Sequence, residues 1–346
     1  MLLKQLTEAV GPSGFETQVR DLIYQEAKPY AQDAYTDSLG TLFIERNVTA
    51  KGPKVLLTAH MDEVSFMIVG IEETGLLRFR PIGGVDVRIL VSKAVRVGNK
   101  NLSGVIGSKA VHLQKKEERE HPLELDQLFI DIGAASKQEA EEHVAIGDIA
   151  VFATTYEAIG DECAKSKSFD DRVGCAVLLE TLKKDFALPL VFAFTVQEEI
   201  GLRGAAPAAY RTNPDLAIVL EGTVCSDGPD TPSHGQATQV GHGPALSVVD
   251  AKTIAHRSFL QHIQNVAKDA QIPYQLRRTI GGANDVGAIH LTREGIVSAA
   301  ISIPTRYIHA PSQVISLRDY KHAVDLVEAV LRSIEQGGFA NEYDLV

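Results

Sequence analysis

Cysteine is scarce, positive charge is in deficit and long apolar runs are missing, and each shortage narrows what the chain can be. The three cysteines, Cys163, Cys175 and Cys225, stand far apart with no C-x-x-C pair. Neither a disulfide framework nor a zinc ribbon is indicated, and a reducing compartment fits. Lysine and arginine number 34 against 45 aspartates and glutamates, a net charge of -11. Such a surface repels phosphate backbones, which argues against nucleic acid and anionic membrane as partners. No segment approaches the roughly 20 apolar residues that cross a bilayer, and the opening MLLKQLTEAVGPSGFE has no basic stretch leading into an apolar one. A cytoplasmic location is expected, where the sequons at Asn47 and Asn101 carry no weight. Also absent are the G-x-S-x-G elbow, the G-x-x-x-x-G-K-S/T phosphate loop, the H-E-x-x-H helix and the G-x-G-x-x-G turn, which removes their chemistries.

What is present is a chain of 346 residues with 45% hydrophobic content, long enough for a large core and two domains. Ser13 followed by Glu16 reads as a capping box, and Phe15, Val19, Leu22, Ile23 and Ala27 recur at helical spacing, so a helix is expected from about Phe15 to Tyr30. TLFIER and KVLLTAH then read as strands. Between Gly70 and Gly160 short β-rich runs and frequent glycine describe a β-barrel inserted into something else, with one brief helical candidate, SKQEAEEH. The charged stretch KKEEREHP, residues 115 to 122, is an exposed loop or a segment that reaches a neighbouring subunit. After Gly160 helices and strands alternate again to a closing amphipathic helix through Tyr320, Ala323, Val324, Val327, Leu331 and Ile334. The fold class is α/β, interrupted by a β domain.

Adjacent Glu198 and Glu199 close the apolar run LPLVFAFTVQEEIG. Carboxylates at the edge of a core persist only where a cation or strong donors stabilise them. Other strands end similarly: His60 follows KVLLTA, Glu221 follows LAIVL, and His309 lies just beyond AAISIPTRY, while Asp170 and Asp171 precede a helix. Singly, each has an ordinary reading: a core or surface histidine, a helix N-cap, solvated charges, a turn at Glu221-Gly222-Thr223 or His309-Ala310-Pro311. Their coincidence where a parallel sheet brings its strand ends together argues for a metal centre. Two histidines and three carboxylates, one bridging, can hold two divalent ions and leave room for water. Mixed imidazole and carboxylate ligation suits zinc, cobalt or manganese. Asp62, two residues beyond His60, is close enough to fix its tautomer, and one glutamate of the pair is left to serve as a base.

The blocks HMDEV, KSFDDRVG, QEEIGLRGA, LEGT, GGANDVGAIH and TRYIHAP resemble, in order and nearly end to end, those of the TET-type dinuclear metallo-aminopeptidases (clan MH), which include glutamyl, leucyl and deblocking enzymes. The resemblance implies a phosphorylase/hydrolase-like mixed-sheet α/β catalytic domain over residues 1–69 and 161–346. A PDZ-like β-barrel at 70–160 would serve dimerisation, and such dimers often build tetrahedral dodecamers. It further implies His60, Asp170, Glu199, Glu221 and His309 as metal ligands, Asp170 bridging through its two oxygens. His60 would stand on one side and Glu221 on the other, with Glu199 and His309 completing the shells. Glu198 would be the general base, Asp62 the residue orienting His60, and Asp171 the weaker candidate of its pair. Many members carry aspartate where this chain has Glu221; one extra methylene bears on geometry and metal preference.

The reaction implied is release of an N-terminal residue from short peptides, with an acidic or leucyl preference among the options. A metal-dependent deacylase or carboxypeptidase of the same fold would share these residues, and a panel of aminoacyl-nitroanilides against N-acyl amino acids separates them. A non-catalytic shell-forming homologue should lack a ligand or the base, and none is missing. Asn284, Asp285 and His290 in GGANDVGAIH read as structural, since Gly281 and Gly282 announce a tight turn. Arg306 could meet an acidic side chain or pair with a local carboxylate.

Overall fold

Apolar, β-branched runs form the strands on which everything else is placed. The structure, a computed structural model, describes residues 2–339. Residues 1 and 340–346, which the sequence reading assigns to the α/β unit, lie outside them. Three strands, β1 (Asp33–Thr36), β2 (Leu42–Arg46) and β3 (Val55–His60), precede six of the barrel: β4 (Ser65–Ile71), β5 (Leu77–Ile82), β6 (Ala94–Val97), β7 (Leu102–Ser108), β8 (Leu128–Asp131) and β9 (Ile149–Phe152). Eight more follow: β10 (Glu157–Ile159), β11 (Cys163–Ser166), β12 (Leu190–Thr195), β13 (Leu216–Val224), β14 (Ala245–Ser247), β15 (Gln275–Arg277), β16 (Val297–Arg306) and β17 (Gln313–Ser316).

The large sheet runs β1-β2-β12-β3-β13-β16-β17-β11-β10, with β14 and β15 branching from β16. Its centre, β12-β3-β13-β16, is parallel, and the flanking pairs are antiparallel, giving a mixed sheet. Every residue of β3 and β12 is buried, as strands covered by helices on both faces must be. The Phe169–Leu182 helix, wholly buried along all but one residue, packs on one face beside the Arg257–Asp269 and Leu317–Glu335 helices. The Ala205–Thr212 and Val286–Ile289 helices cover the other. All four central strands point their C-terminal ends to the same edge, which is where His60, Glu198, Glu199, Glu221 and His309 emerge.

The other six strands close as β4-β5-β8-β7-β6-β9. Inside, Phe66 meets Phe79 and Phe152 edge to face, with ring centroids 5.1 and 5.2 Å apart, among Ile106 and Ile130. The helical candidate in this region is Lys137–Glu141, capped by the Ser136 hydroxyl, which accepts from the Glu139 amide. In the charged stretch, Lys115, Lys116, Arg119, Glu120, His121 and Pro122 are exposed. The side chains of Glu117 and Glu118 lie outside the described residues.

The first long helix corrects its sequence reading. It spans Thr17–Ala27, followed by a 3-10 turn at Lys28–Tyr30 where Pro29 removes an amide from the ladder. Ser13 and Glu16 form no capping box. The Ser13 hydroxyl donates to Asp62 Oδ2 at 2.6 Å, and Glu16 Oε1 accepts the Gly14 amide at 2.7 Å. A buried carboxylate is a stronger acceptor than anything the helix start offers the hydroxyl. No helix among the described residues is long and apolar enough to cross a membrane.

Candidate metal centre

Two strands, two loops and one helix start supply the cluster. His60 is the last residue of β3 and Glu221 lies within β13; both are buried. Glu198 and Glu199 follow β12, and His309 follows β16. Asp170 and Asp171 open the Phe169–Leu182 helix in non-helical conformations, joined by a cis peptide bond. Ser168, Gln197 and His309 all have positive φ, a conformation rare for residues other than glycine and concentrated where function fixes the backbone.

Asp170 sits at the middle. Its Oδ1 lies 3.1 Å from His60 Nε2 and its Oδ2 lies 3.2 Å from His309 Nε2. Glu221 Oε1 is 3.3 Å from His60 Nε2, and Glu199 Oε2 is 3.2 Å from His309 Nε2. Each oxygen of Asp170 therefore faces one imidazole, and each imidazole meets one glutamate. The resemblance puts His60 and Glu221 on opposite sides; here they share one, because β3 and β13 are adjacent strands in parallel register. Glu198 Oε2 stands farther back, 3.9 Å from His60 Nε2. Asp171 also lies within ligand reach of His60 and Glu221, but its Oδ2 accepts the His60 amide at 3.1 Å and its Oδ1 the Gly174 amide at 3.0 Å.

Both histidines have a fixed tautomer. His60 Nδ1 lies 3.1 Å from the Asp62 carbonyl and 3.3 Å from Asp62 Oδ1, and His309 Nδ1 lies 2.8 Å from the Gly84 carbonyl. These acceptors require a hydrogen on Nδ1, leaving both Nε2 atoms aimed at carboxylate oxygens. Among the described residues, Glu199 Oε1 and Glu221 Oε2 are buried without a hydrogen-bond partner. Carboxylate oxygens and imidazole nitrogens converging in a buried site need positive charge among them, a proton on each Nε2 or a divalent ion in its place, so the donor set fits divalent metal.

The electrostatics say the same. Burial pushes the carboxyls of Glu198 and Glu221 well above the ordinary carboxylate range and that of Glu199 to about 8, with neighbouring carboxylates adding to each. Burial opposes a charged His60, yet Glu221, Asp170 and Asp62 raise it well above its usual range. His309, also opposed by burial, rises to about 9 beside Glu199 and Asp170. Asp170 would itself be raised by burial but is held low by hydrogen bonds from His309 and His60.

Support from below escaped the sequence reading. Glu63 is buried between Lys167, whose Nζ lies 2.7 Å from both its oxygens, and Arg172, at 3.3 Å. Arg172 also donates to the Met61 carbonyl at 2.7 Å, tying the helix that carries Asp170 to the segment after His60. Charged residues flanking known blocks, as in HMDEV and KSFDDRVG, were the available signal. Gly222 lies in close approach to the helix start: a Cβ there would lie 3.2 Å from the Asp170 Cα, tighter than an ordinary contact. Asp285 is buried and accepts the Thr195 hydroxyl at 2.6 Å, while Arg306 pairs with Asp227 at 2.6 Å.

Comparison with known proteins decides what the centre belongs to. A family described as M42 glutamyl aminopeptidase matches residues 40–326. The chain belongs to this family. It is 41% identical to a putative aminopeptidase of Acetivibrio thermocellus over 95% of this chain and 97% of that one. A TET aminopeptidase from the marine sediment archaeon Thaumarchaeota archaeon SCGC AB-539-E09 superposes with a TM-score of 0.93 at 37% identity, covering 98% of each chain. The TET1 peptidase of Pyrococcus horikoshii, which can assemble into a tetrahedron or a large octahedral shell, gives 0.84 at 33% identity over 95% of this chain and 98% of that one. The M42 protein is thus an aminopeptidase by family. Family membership implies divalent metal ions, and the cluster described above is built to take them.

Stripped of metal, the protein should lose stability as pH rises from about 5 to about 9. Glu199 and His309 both have raised folded-state values, so their contributions are complete below the unfolded values and are lost through about 8 and about 9. Excess divalent ion at pH 8 should raise the thermal midpoint and flatten this slope, because it binds only the folded state. Unfolding scans of chelated and reloaded protein across that range check it; a metal-independent midpoint would contradict the ligand set.

Proposed function

We propose that this M42 aminopeptidase is a co-catalytic dinuclear enzyme in which His60, Asp170 and Glu221 hold one divalent ion and Asp170, Glu199 and His309 the other. The placement of the two Asp170 oxygens toward two separate imidazoles carries this reading. Zinc, cobalt or manganese suits the donors. When bound, such ions polarise the scissile carbonyl and acidify a water. Glu198, set back from the cluster and lining the adjoining cavity, takes the proton of the attacking water. It returns that proton to the departing amine as the carbon–nitrogen bond breaks. Asp62 holds His60 Nδ1 and accepts the amides of Glu198 at 3.0 Å and Glu199 at 3.1 Å, orienting ligand and base together.

The cavity beside the centre, about 480 Å³, receives the N-terminal side chain of the peptide. Among the described residues lining it, Arg277 alone is a lysine or arginine. Its guanidinium is buried and donates to the carbonyls of Thr279 at 3.3 Å and Gly281, while Nε has no partner among the described residues. A buried cation without a bonded carboxylate favours an acidic side chain in the substrate, so glutamyl and aspartyl termini are the favoured class over leucyl.

The sequence reading sets the catalytic unit at residues 1–69 and 161–346 with the barrel at 70–160, but the barrel strands run from Ser65 to Phe152 and Glu157–Ile159 joins the large sheet, so both boundaries move a few residues earlier. The barrel supports dimerisation, by analogy with assembled relatives such as the P. horikoshii peptidase. Sedimentation velocity of the pure protein should give a dimer or dodecamer; a monomer at micromolar concentration would end this part of the reading.

Glu198→Gln should retain metal while kcat falls at least about a hundredfold, whereas His309→Ala should lose metal and activity together. Elemental analysis and nitroanilide assays on both variants distinguish base from ligand, and near-normal turnover in the first would refute the base. Arg277→Met should cut kcat/KM for glutamyl and aspartyl substrates by about a hundredfold, the scale of a lost charge-assisted hydrogen bond, with alanyl substrates changed by about threefold or less. An unchanged ratio of glutamyl to alanyl rates would remove Arg277 from the specificity pocket.

A further inference from the structure

The turn that carries Glu198 and Glu199 is held by its backbone, and one of the groups holding it comes from the far N-terminal end of the described chain. Three consecutive amides are each bound by a carboxylate. The Gln197 amide donates to Glu16 Oε1 at 3.2 Å, the Glu198 amide to Asp62 Oδ1 at 3.0 Å and the Glu199 amide to Asp62 Oδ2 at 3.1 Å. Asp62 also meets His60 Nδ1 at 3.3 Å through Oδ1 and receives the Ser13 hydroxyl at 2.6 Å through Oδ2. A carboxylate offers about four acceptor sites, so these four donors occupy Asp62 fully and leave it one orientation. Ser13, Glu16 and Asp62 are all buried.

The segment bearing Ser13 and Glu16 is anchored in turn. The Gly11 amide donates to Glu63 Oε1 at 3.1 Å, the Glu63 amide donates to the Gly11 carbonyl at 3.1 Å, and Pro12 bridges to Glu63 in parallel. Arg172 reaches the Ala9 carbonyl at 3.0 Å, and Lys167 the same oxygen at 3.0 Å. Residues 11–16 thus rest on the Glu63–Lys167–Arg172 cluster on one side and grip the 197–199 turn on the other. Gln197 sits at φ 57, so its conformation needs such external restraint.

We infer that Ser13 and Glu16 are positioning residues for catalysis: the Gly11–Glu16 segment is a clamp that fixes Glu198 against the reacting water, Ser13 acting through Asp62 and Glu16 through the Gln197 amide. This rests on the reading of Glu198 as base. Neither side chain touches the cluster. What the clamp supplies is alignment, and displacement of a base by a fraction of an ångström is costly to kcat while substrate affinity is nearly indifferent to it.

The test uses the full-length, metal-loaded enzyme. Ser13→Ala and Glu16→Ala should each lower kcat about tenfold or more. KM should stay within about twofold, and metal content by elemental analysis and the thermal midpoint should match the parent. Ser13→Thr, which keeps the hydroxyl, should recover most of the loss. The double variant should cost less than the product of the singles, since both release the same turn. Hydrogen exchange should quicken in peptides covering residues 196–202 and not elsewhere in the sheet. A kcat within about twofold of the parent in both single variants overturns the proposal, and so does a fall in kcat matched by lost metal or a lowered midpoint. Glu198→Gln run alongside separates the failures: if it stays active the base assignment has failed, and if it collapses while the clamp variants do not, only the clamp has.

Discussion

Repulsion among Asp170, Asp171, Glu198, Glu199 and Glu221 at one edge of one sheet is the constraint to which the rest of this molecule answers. Buried carboxylates this close cannot all be ionised without positive charge among them. Two imidazoles supply part of it, backbone amides donate to Asp171 and Asp62, and the divalent ions that family membership implies would complete the balance. The parallel centre of the sheet is covered by helices on both faces, and close-packed layers of this kind leave little room for the charges to move apart.

Much of this was legible in the sequence because the clustered side chains stand at the ends of strands that apolar runs announce. KVLLTA, LPLVFAFT and LAIVL are buried strands for the same reason their last residues are conspicuous: charge following such a run is out of place unless something holds it. Less legible was the pairing of side chains within the cluster. Whether His60 sits with Glu221 or across from it depends on strand order β12-β3-β13, which periodicity does not encode. Least legible was the role of Ser13 and Glu16. Their spacing matched a helix-capping pattern, and only the approach of Asp62, forty-nine residues on, and Gln197 redirected both side chains. A short-range rule lost to a long-range acceptor. Arg306, conversely, took the plainer of its two readings and pairs with Asp227.

The barrel is joined to the centre by more than its two chain crossings. His309 takes its tautomer from the Gly84 carbonyl, which belongs to the turn following β5. One of the two imidazoles is therefore aimed by the barrel and the other, through Asp62, by the catalytic sheet. The two halves of the cluster take their geometry from different parts of the fold.

Gly222 and Gly281 lie on the same cavity wall and face opposite freedoms. A single added carbon at Gly222 would press on Asp170, whereas at Gly281 it would meet nothing within 4 Å. A tight point near the chemistry is thus a residue with no functional group, while the wall a few residues from Arg277 has room for new side chains. Substrate range can diverge there through single substitutions that leave the reacting centre untouched, so descendants of this chain could exchange diets without rebuilding their catalyst.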